Sequence, residues 1–117
     1  MTKLKFAFIG TGYMANEYAK VLRNGFNNKS EIVGAINKSS NSVKAFIKKF
    51  KISKHYLQLN EMMKYAKPDV VIVCVNELST YSVLRELSLY PCICLIEKPV
   101  GINYLQSLKI LKLKKNK

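Results

Sequence analysis

The sequence predicts an α/β fold, a doubly wound parallel sheet with helices on both faces, formed by a single domain. Three observations predict it. Short apolar runs alternate with segments of helical periodicity along the whole chain, the pattern of successive βαβ units. The run at residues 70–75 is β-branched throughout except for Cys74, as expected of a strand buried on both faces. A glycine turn, Gly10-Thr11-Gly12, then separates the first apolar run from the first helical segment. The chain has 117 residues, the size of one domain, and 49% of them are hydrophobic, enough to form a core.

Taken in order, the first strand is the apolar run at 6–9. Met14, Tyr18 and Leu22 recur at helical spacing after it, with Ala15 and Ala19 beside them, and Asn24-Gly25 ends that helix. Residues 31–36 read as a second strand, and 37–41 as the loop after it. Val43, Phe46, Ile47 and Phe50 mark one face of a second helix. His55-Tyr56-Leu57 is short enough to be only a brief third strand, and 61–66 a short helix closed by Lys67-Pro68. The fourth strand is 70–75. A helix bearing Tyr81, Leu84, Leu87 and Ser88 follows and stops at Tyr90-Pro91. Residues 92–96 are a fifth strand, and a last helix carries Tyr104, Leu105, Leu108 and Leu111 on one face. Parallel strands joined by such crossovers predict the order 3-2-1-4-5, with a ligand where the order reverses, at the carboxyl ends of strands one and four.

Composition excludes several classes. No apolar run is long enough to span a membrane, and the N-terminus lacks a signal-peptide pattern. Cys74, Cys92 and Cys94 lie in apolar runs without metal-type spacing, which predicts buried, reduced thiols, no metal site and a cytoplasmic protein. The net charge of +13 raises the question of nucleic acid or a membrane surface. Yet every basic residue except Arg23 and Arg85 is a lysine, and phosphate clamping and base readout favour the planar guanidinium. The lysines are scattered apart from a cluster at the C-terminus. A solvated lysine-rich surface that attracts an anionic cofactor is therefore expected, with neither nucleic acid nor membrane as partner.

Residues 10–15 spell G-x-G-x-x-A, and each small residue has a physical job. Gly10 permits the tight turn off the strand. Gly12 has no Cβ to hold a pyrophosphate off the backbone, and Ala15 lets the helix lie close to the strand. The helix N-terminus, with Thr11, Tyr13 and Met14 around it, offers unpaired N–H groups and a positive dipole end to phosphates. Glycine pairs also occur in ordinary strand–helix turns. The strand before this one and the helix after it supply the context that a dinucleotide fingerprint requires.

Glu97-Lys98-Pro99 follows the fifth strand. Taken with the glycine turn, it resembles the glucose–fructose oxidoreductase and inositol dehydrogenase family (Gfo/Idh/MocA). The resemblance spans essentially the whole chain, read as residues 1–117 of that family's N-terminal NAD(P)-binding, Rossmann-like domain. It implies that Glu97 and Lys98 border the cofactor, and that Lys98 touches nicotinamide and substrate and assists proton transfer at the carbinol. A cation beside the reacting oxygen stabilises developing alkoxide charge. The family's T-P-N-x-x-H stretch is represented here by Cys74-Val75-Asn76-Glu77-Leu78-Ser79, so Asn76 keeps its place while Val75 replaces proline and Ser79 replaces histidine. The lone histidine, His55, falls in a different region and is read as structural.

Asn37, Lys38 and Ser39 end the second strand, where an acidic residue would bind the ribose hydroxyls of NAD(H). A lysine and hydroxyls there favour NADP(H) over NAD(H). The family's substrate domain, with its acid/base histidine, has no counterpart within the 117 residues. The expectation is a truncated or divided oxidoreductase acting on the CH–OH group of a sugar, polyol or nucleotide sugar, inactive alone. The alternative is a non-catalytic cofactor-binding or partner subunit. An uncovered fifth strand also predicts association through its edge, into a homo-oligomer or with a separate substrate-domain chain.

Overall fold

A computed structural model describes residues 3–38, 40–52 and 56–96. The chain runs β1 (Leu4–Ile9), α1 (Tyr13–Gly25), β2 (Ser30–Ile36), α2 (Ser40–Phe50), α3 (Leu59–Ala66), β3 (Val70–Val73), α4 (Glu77–Leu87) and β4 (Ile93–Ile96). The sheet is parallel throughout, in the order β2-β1-β3-β4.

This corrects the five-strand expectation. Among the described residues the sheet has four strands. His55 lies outside the described residues, and Tyr56 and Leu57 form no strand. Tyr56 instead lays its ring over β2: a Cβ built on Gly34 would stand 3.2 Å from Tyr56 Cδ2. Its apolar surface is thus used in packing, while Leu57 stays 77% exposed. With that strand set aside, the remaining four keep the predicted relative order. The final helix expected around Tyr104–Leu111 also lies outside the described residues.

Strand alternation divides the core in two. Ala7, Ile9, Val71 and Val73 face α3 and α4, where they meet Leu59, Met62, Met63, Leu84 and Leu87. Phe8 and Ile72 face the opposite way, towards Ala15 and Ala19 of α1 and Phe46 and Phe50 of α2. Both faces of the sheet are therefore covered by helices, which is why β3 reads as an unbroken apolar run. Strand β2 departs from simple alternation. Ile32 pairs with Phe6, but Gly34 pairs with Ala7, so Val33 is an extra residue. That bulge puts Ile32 and Ala35, three positions apart, on the same face of the sheet.

Local signals set the ends of the helices. Lys67 adopts a left-handed conformation (φ 48°) as the cap of α3, directly before Pro68. Arg23 of α1 donates to the carbonyl of Phe50, satisfying a carbonyl left over at the end of α2. Helix α4 begins at Glu77, four residues before its first predicted apolar anchor, because Asn76 caps it: Asn76 Oδ1 accepts from Ser79 N at 3.0 Å. Strand β3 stops at Val73, two residues earlier than expected, so Cys74 and Val75 belong to the turn. Among the described residues no helix is long and apolar enough to cross a membrane.

Candidate functional site

The turn after β1 is built so that only glycine fits its first position. Gly10 has φ +97°, and its N–H donates to Ile36 O at 2.8 Å. On its other side, Cys74 N donates to Ile9 O at 2.8 Å. A Cβ on Gly10 would lie 2.3 Å from the Cys74 carbonyl oxygen, inside the backbone of the neighbouring turn. Gly12 is different. It is exposed, caps α1, and a Cβ built on it meets no protein atom within 4 Å. The chain's own packing therefore does not call for glycine at position 12.

Thr11, between them, is buried at 4% exposure and tied into a polar network. Its hydroxyl lies 2.6 Å from Ser42 Oγ and accepts from Asn37 Nδ2 at 2.9 Å. Asn37 Oδ1 accepts from Lys38 N at 2.8 Å, so both ends of that amide are engaged within the turn. Asn37 thus shapes the site and leaves Lys38, exposed beside it, as the group facing outward. Thr11 and Asn37 together lock the ends of β1 and β2 to the first turn of α2.

Asn16 completes the arrangement. Its Nδ2 donates to Gly12 O at 2.8 Å and to Thr11 O at 3.2 Å. Because the peptide is planar and trans, drawing those carbonyls towards Asn16 turns the N–H groups of Gly12 and Tyr13 the opposite way. Helix α1 has no side-chain cap at Gly12 and no acidic residue in its first turn. Its first N–H groups and positive dipole end are left for an anion. Tyr13 and Met14 are exposed at this helix start, and Ala15 is fully buried against the sheet.

These groups border a cleft of about 790 Å³ along the carboxyl ends of β1, β2 and β3, in the size range of cofactor sites. The cleft lies where strand order reverses about β1. It brings together Gly10, Thr11, Gly12, Asn37, Lys38, Cys74, Val75 and Asn76, which the sequence assigned to one site. Tyr13 and Met14 stand beside it on the first turn of α1. Ser39, Glu97 and Lys98 lie outside the described residues. Strand β4 ends at Ile96 level with Val73 of β3, at the same edge of the sheet as the cleft.

Sequence reasoning missed two parts of the site. Asn16 and Ser42 hold the turn without facing the ligand space, and an asparagine inside a helix, where it is a poor former, was the available signal. The far wall was also missed: Leu57 to Asn60 at the start of α3, opposite Ser79, Val83, Glu86 and Tyr90. Ser79, Val83 and Glu86 are spaced 4 and 3 residues apart, one face of α4 that mixes polar and apolar groups, and Tyr90 follows beyond the end of that helix at Leu87. Cys92 and Cys94 are half-buried rather than buried, with their sulfurs 4.0 Å apart, and no metal-ligand cluster occurs among the described residues.

A parallel α/β sheet with a glycine turn and an uncapped helix start at its switch point defines a dinucleotide-binding protein class. Residues 4–117 match the model of the oxidoreductase family with an NAD-binding Rossmann fold (Gfo/Idh/MocA), and the chain belongs to that family. No curated protein matches the sequence. Several solved structures share the fold. One is a myo-inositol dehydrogenase from Lactobacillus casei in complex with NAD(H) and myo-inositol, with TM-score 0.90 and 19% identity over 99% of this chain and 34% of that one. Another is the WlbA dehydrogenase from Chromobacterium violaceum in complex with NADH and UDP-GlcNAcA, with TM-score 0.89 and 20% identity over 97% and 32%. A third is a biliverdin reductase from Synechocystis in complex with biliverdin and NADP+, with TM-score 0.84 and 18% identity over 98% and 35%. The chain spans about a third of the length of each.

Proposed function

We propose that residues 1–117 are the NAD(P)-binding domain of an oxidoreductase acting on the CH–OH group of a sugar, polyol or nucleotide sugar. One observation carries the reading: an open, uncapped helix start beside an exposed Gly12, at the switch point of the sheet. The backbone N–H groups of Gly12, Tyr13 and Met14 would hold the pyrophosphate, and the turn at Cys74, Val75 and Asn76 would support the nicotinamide ribose. The nicotinamide ring supplies the hydride acceptor. By resemblance to the family's E-K-P motif, Lys98 would stand near the carbinol oxygen, where its positive charge would stabilise developing alkoxide charge. Membership in the oxidoreductase family, and solved relatives crystallised with inositol or a nucleotide sugar, support this class of substrate.

Calorimetric titration of the 117-residue chain tests the reading. Dinucleotide binding is expected, and no polyol or nucleotide sugar should reduce the cofactor, because the substrate-holding groups of the family lie in a second domain. Reduction of NAD(P) by this chain alone would overturn the division of labour. Failure to bind any dinucleotide would overturn the function itself.

For cofactor choice we propose NADP(H) over NAD(H). The end of β2 carries Asn37, whose amide is already engaged, and the exposed Lys38, with no acid to accept from a ribose diol. The nearest acid along the strand, Glu31, sits at its opposite end, in register with Lys5. Lys38→Ala should lose about 1–2 kcal/mol of NADP(H) affinity, the size of a charge-assisted contact, and little for NAD(H). An equal loss for both cofactors would show that Lys38 acts only through its general field.

A further inference from the structure

Two thiols stand together on the outer strand of the sheet, and neither lines the cleft. Cys92 immediately precedes β4 and Cys94 is its second residue. Side chains two positions apart in an extended chain share a face, and both of these pack against the core cluster on the α3 and α4 side. Their sulfurs lie 4.0 Å apart. Both residues are half-buried, on a strand that pairs with β3 alone among the described residues. The backbone beneath them is anchored: Ile93 N donates to Asp69 O at 2.9 Å, and Cys94 is in register with Val71. The third thiol, Cys74, packs against the cluster beneath α1 and α2, with the sheet between it and the pair.

We propose that Cys92 and Cys94 form a reversible redox site, in which exchange with a small-molecule disulfide joins them as an intrachain disulfide. One cysteine thiolate attacks the small disulfide, forming a mixed disulfide and releasing one small thiol. The second thiolate attacks the protein sulfur of that mixed disulfide and expels the other small thiol. Two electrons pass from the cysteines to the small disulfide, and the two protons they give up end on the released thiols. Two residues of strand span about 6.6 Å, near the upper limit of about 6.8 Å for the Cα atoms across a disulfide. Joining the sulfurs therefore draws in a strand that β3 holds extended, and the bond forms under strain. Strain makes it readily reduced, the character of a regulatory disulfide rather than a structural one.

The test incubates the reduced 117-residue chain with glutathione disulfide, quenches and denatures it, then alkylates the remaining thiols and maps them by mass spectrometry. Cys92 and Cys94 should be found linked within one chain, with Cys74 still alkylated. Excess reduced glutathione should return both thiols. Cys94→Ser should stop at a mixed disulfide of glutathione with Cys92, and Cys92→Ser at the same adduct on Cys94, because each lacks the second sulfur. A pair that stays reduced in glutathione disulfide, a bond that joins two chains, or a bond that excess glutathione leaves in place would each overturn the inference. Oxidation of Cys74 as fast as the pair in the folded chain would also overturn it, by showing that strand geometry does not select the two. Cofactor binding does not enter the measurement, so the inference stands or falls apart from the proposed function.

Discussion

Gly10→Ala is expected to cost the domain about 3 kcal/mol or more, while Gly12→Ala should cost less than about 1 kcal/mol and chiefly weaken cofactor binding. The two glycines share a motif but answer to different constraints. At position 10 the backbone has φ +97°, where an L side chain is strained, and the added Cβ would meet the Cys74 carbonyl at 2.3 Å. That carbonyl cannot retreat cheaply, because Cys74 N is bonded to Ile9 O and holds β3 against β1. Relief requires moving two central strands apart. At position 12 the added methyl meets no protein atom, so folding tolerates it and only a ligand would feel it. For a domain of this size the Gly10 variant should melt roughly 10–20 °C lower. Urea and thermal melts of both variants, with titration of cofactor into Gly12→Ala, separate the roles. A Gly10→Ala chain of normal stability, or a Gly12→Ala chain with full affinity, would show that the motif's physical reading is wrong at that position.

The same contrast explains what was legible in the sequence. Gly10, Gly12 and Ala15 are recognisable because their smallness is demanded by local geometry at a fixed spacing, and the β-branched run of β3 because both its faces are covered. The relative order of the four strands present followed from parallel crossovers, although a fifth strand was wrongly placed at its edge. Tyr56 and Leu57 misled because an apolar pair suits a short strand and a packed loop equally well, and only the space over Gly34 distinguishes them. The start of α4 was missed for a related reason: the apolar stripe locates the middle of a helix, whereas its end is set by the Asn76 cap. The far wall of the cleft was not legible at all. Asn60 and Glu86 are 26 positions apart, and it is the packing of α3 and α4 on one face of the sheet that brings them to a common groove.

Phe46→Ala should destabilise the chain by about 3–5 kcal/mol, and cofactor at high excess over its Kd should offset more than half of that. Phe46 is 2% exposed and centres the core beneath α2. Its ring lies 5.2 Å from that of Phe8 in an edge-on arrangement, and 4.9 Å from that of Phe50. Truncation removes both aromatic contacts and leaves a cavity between α2 and β1 that backbone hydrogen bonding prevents from closing. The damage should also reach the site. Ser42 precedes Phe46 by one helical turn on the same face of α2, and its hydroxyl holds Thr11 at 2.6 Å. Loosening α2 therefore loosens the turn at Thr11 and Gly12 that borders the cleft. Cofactor at a hundred times its Kd adds about 2.7 kcal/mol to the folded state, so it should raise the melting temperature of the variant as well as that of the unaltered chain. The variant's Kd should be weaker by a few fold. A loss of under about 1 kcal/mol would mean that the cluster collapses around the smaller side chain. An unchanged Kd in a strongly destabilised variant would show that the turn at Thr11 keeps its shape without α2 behind it.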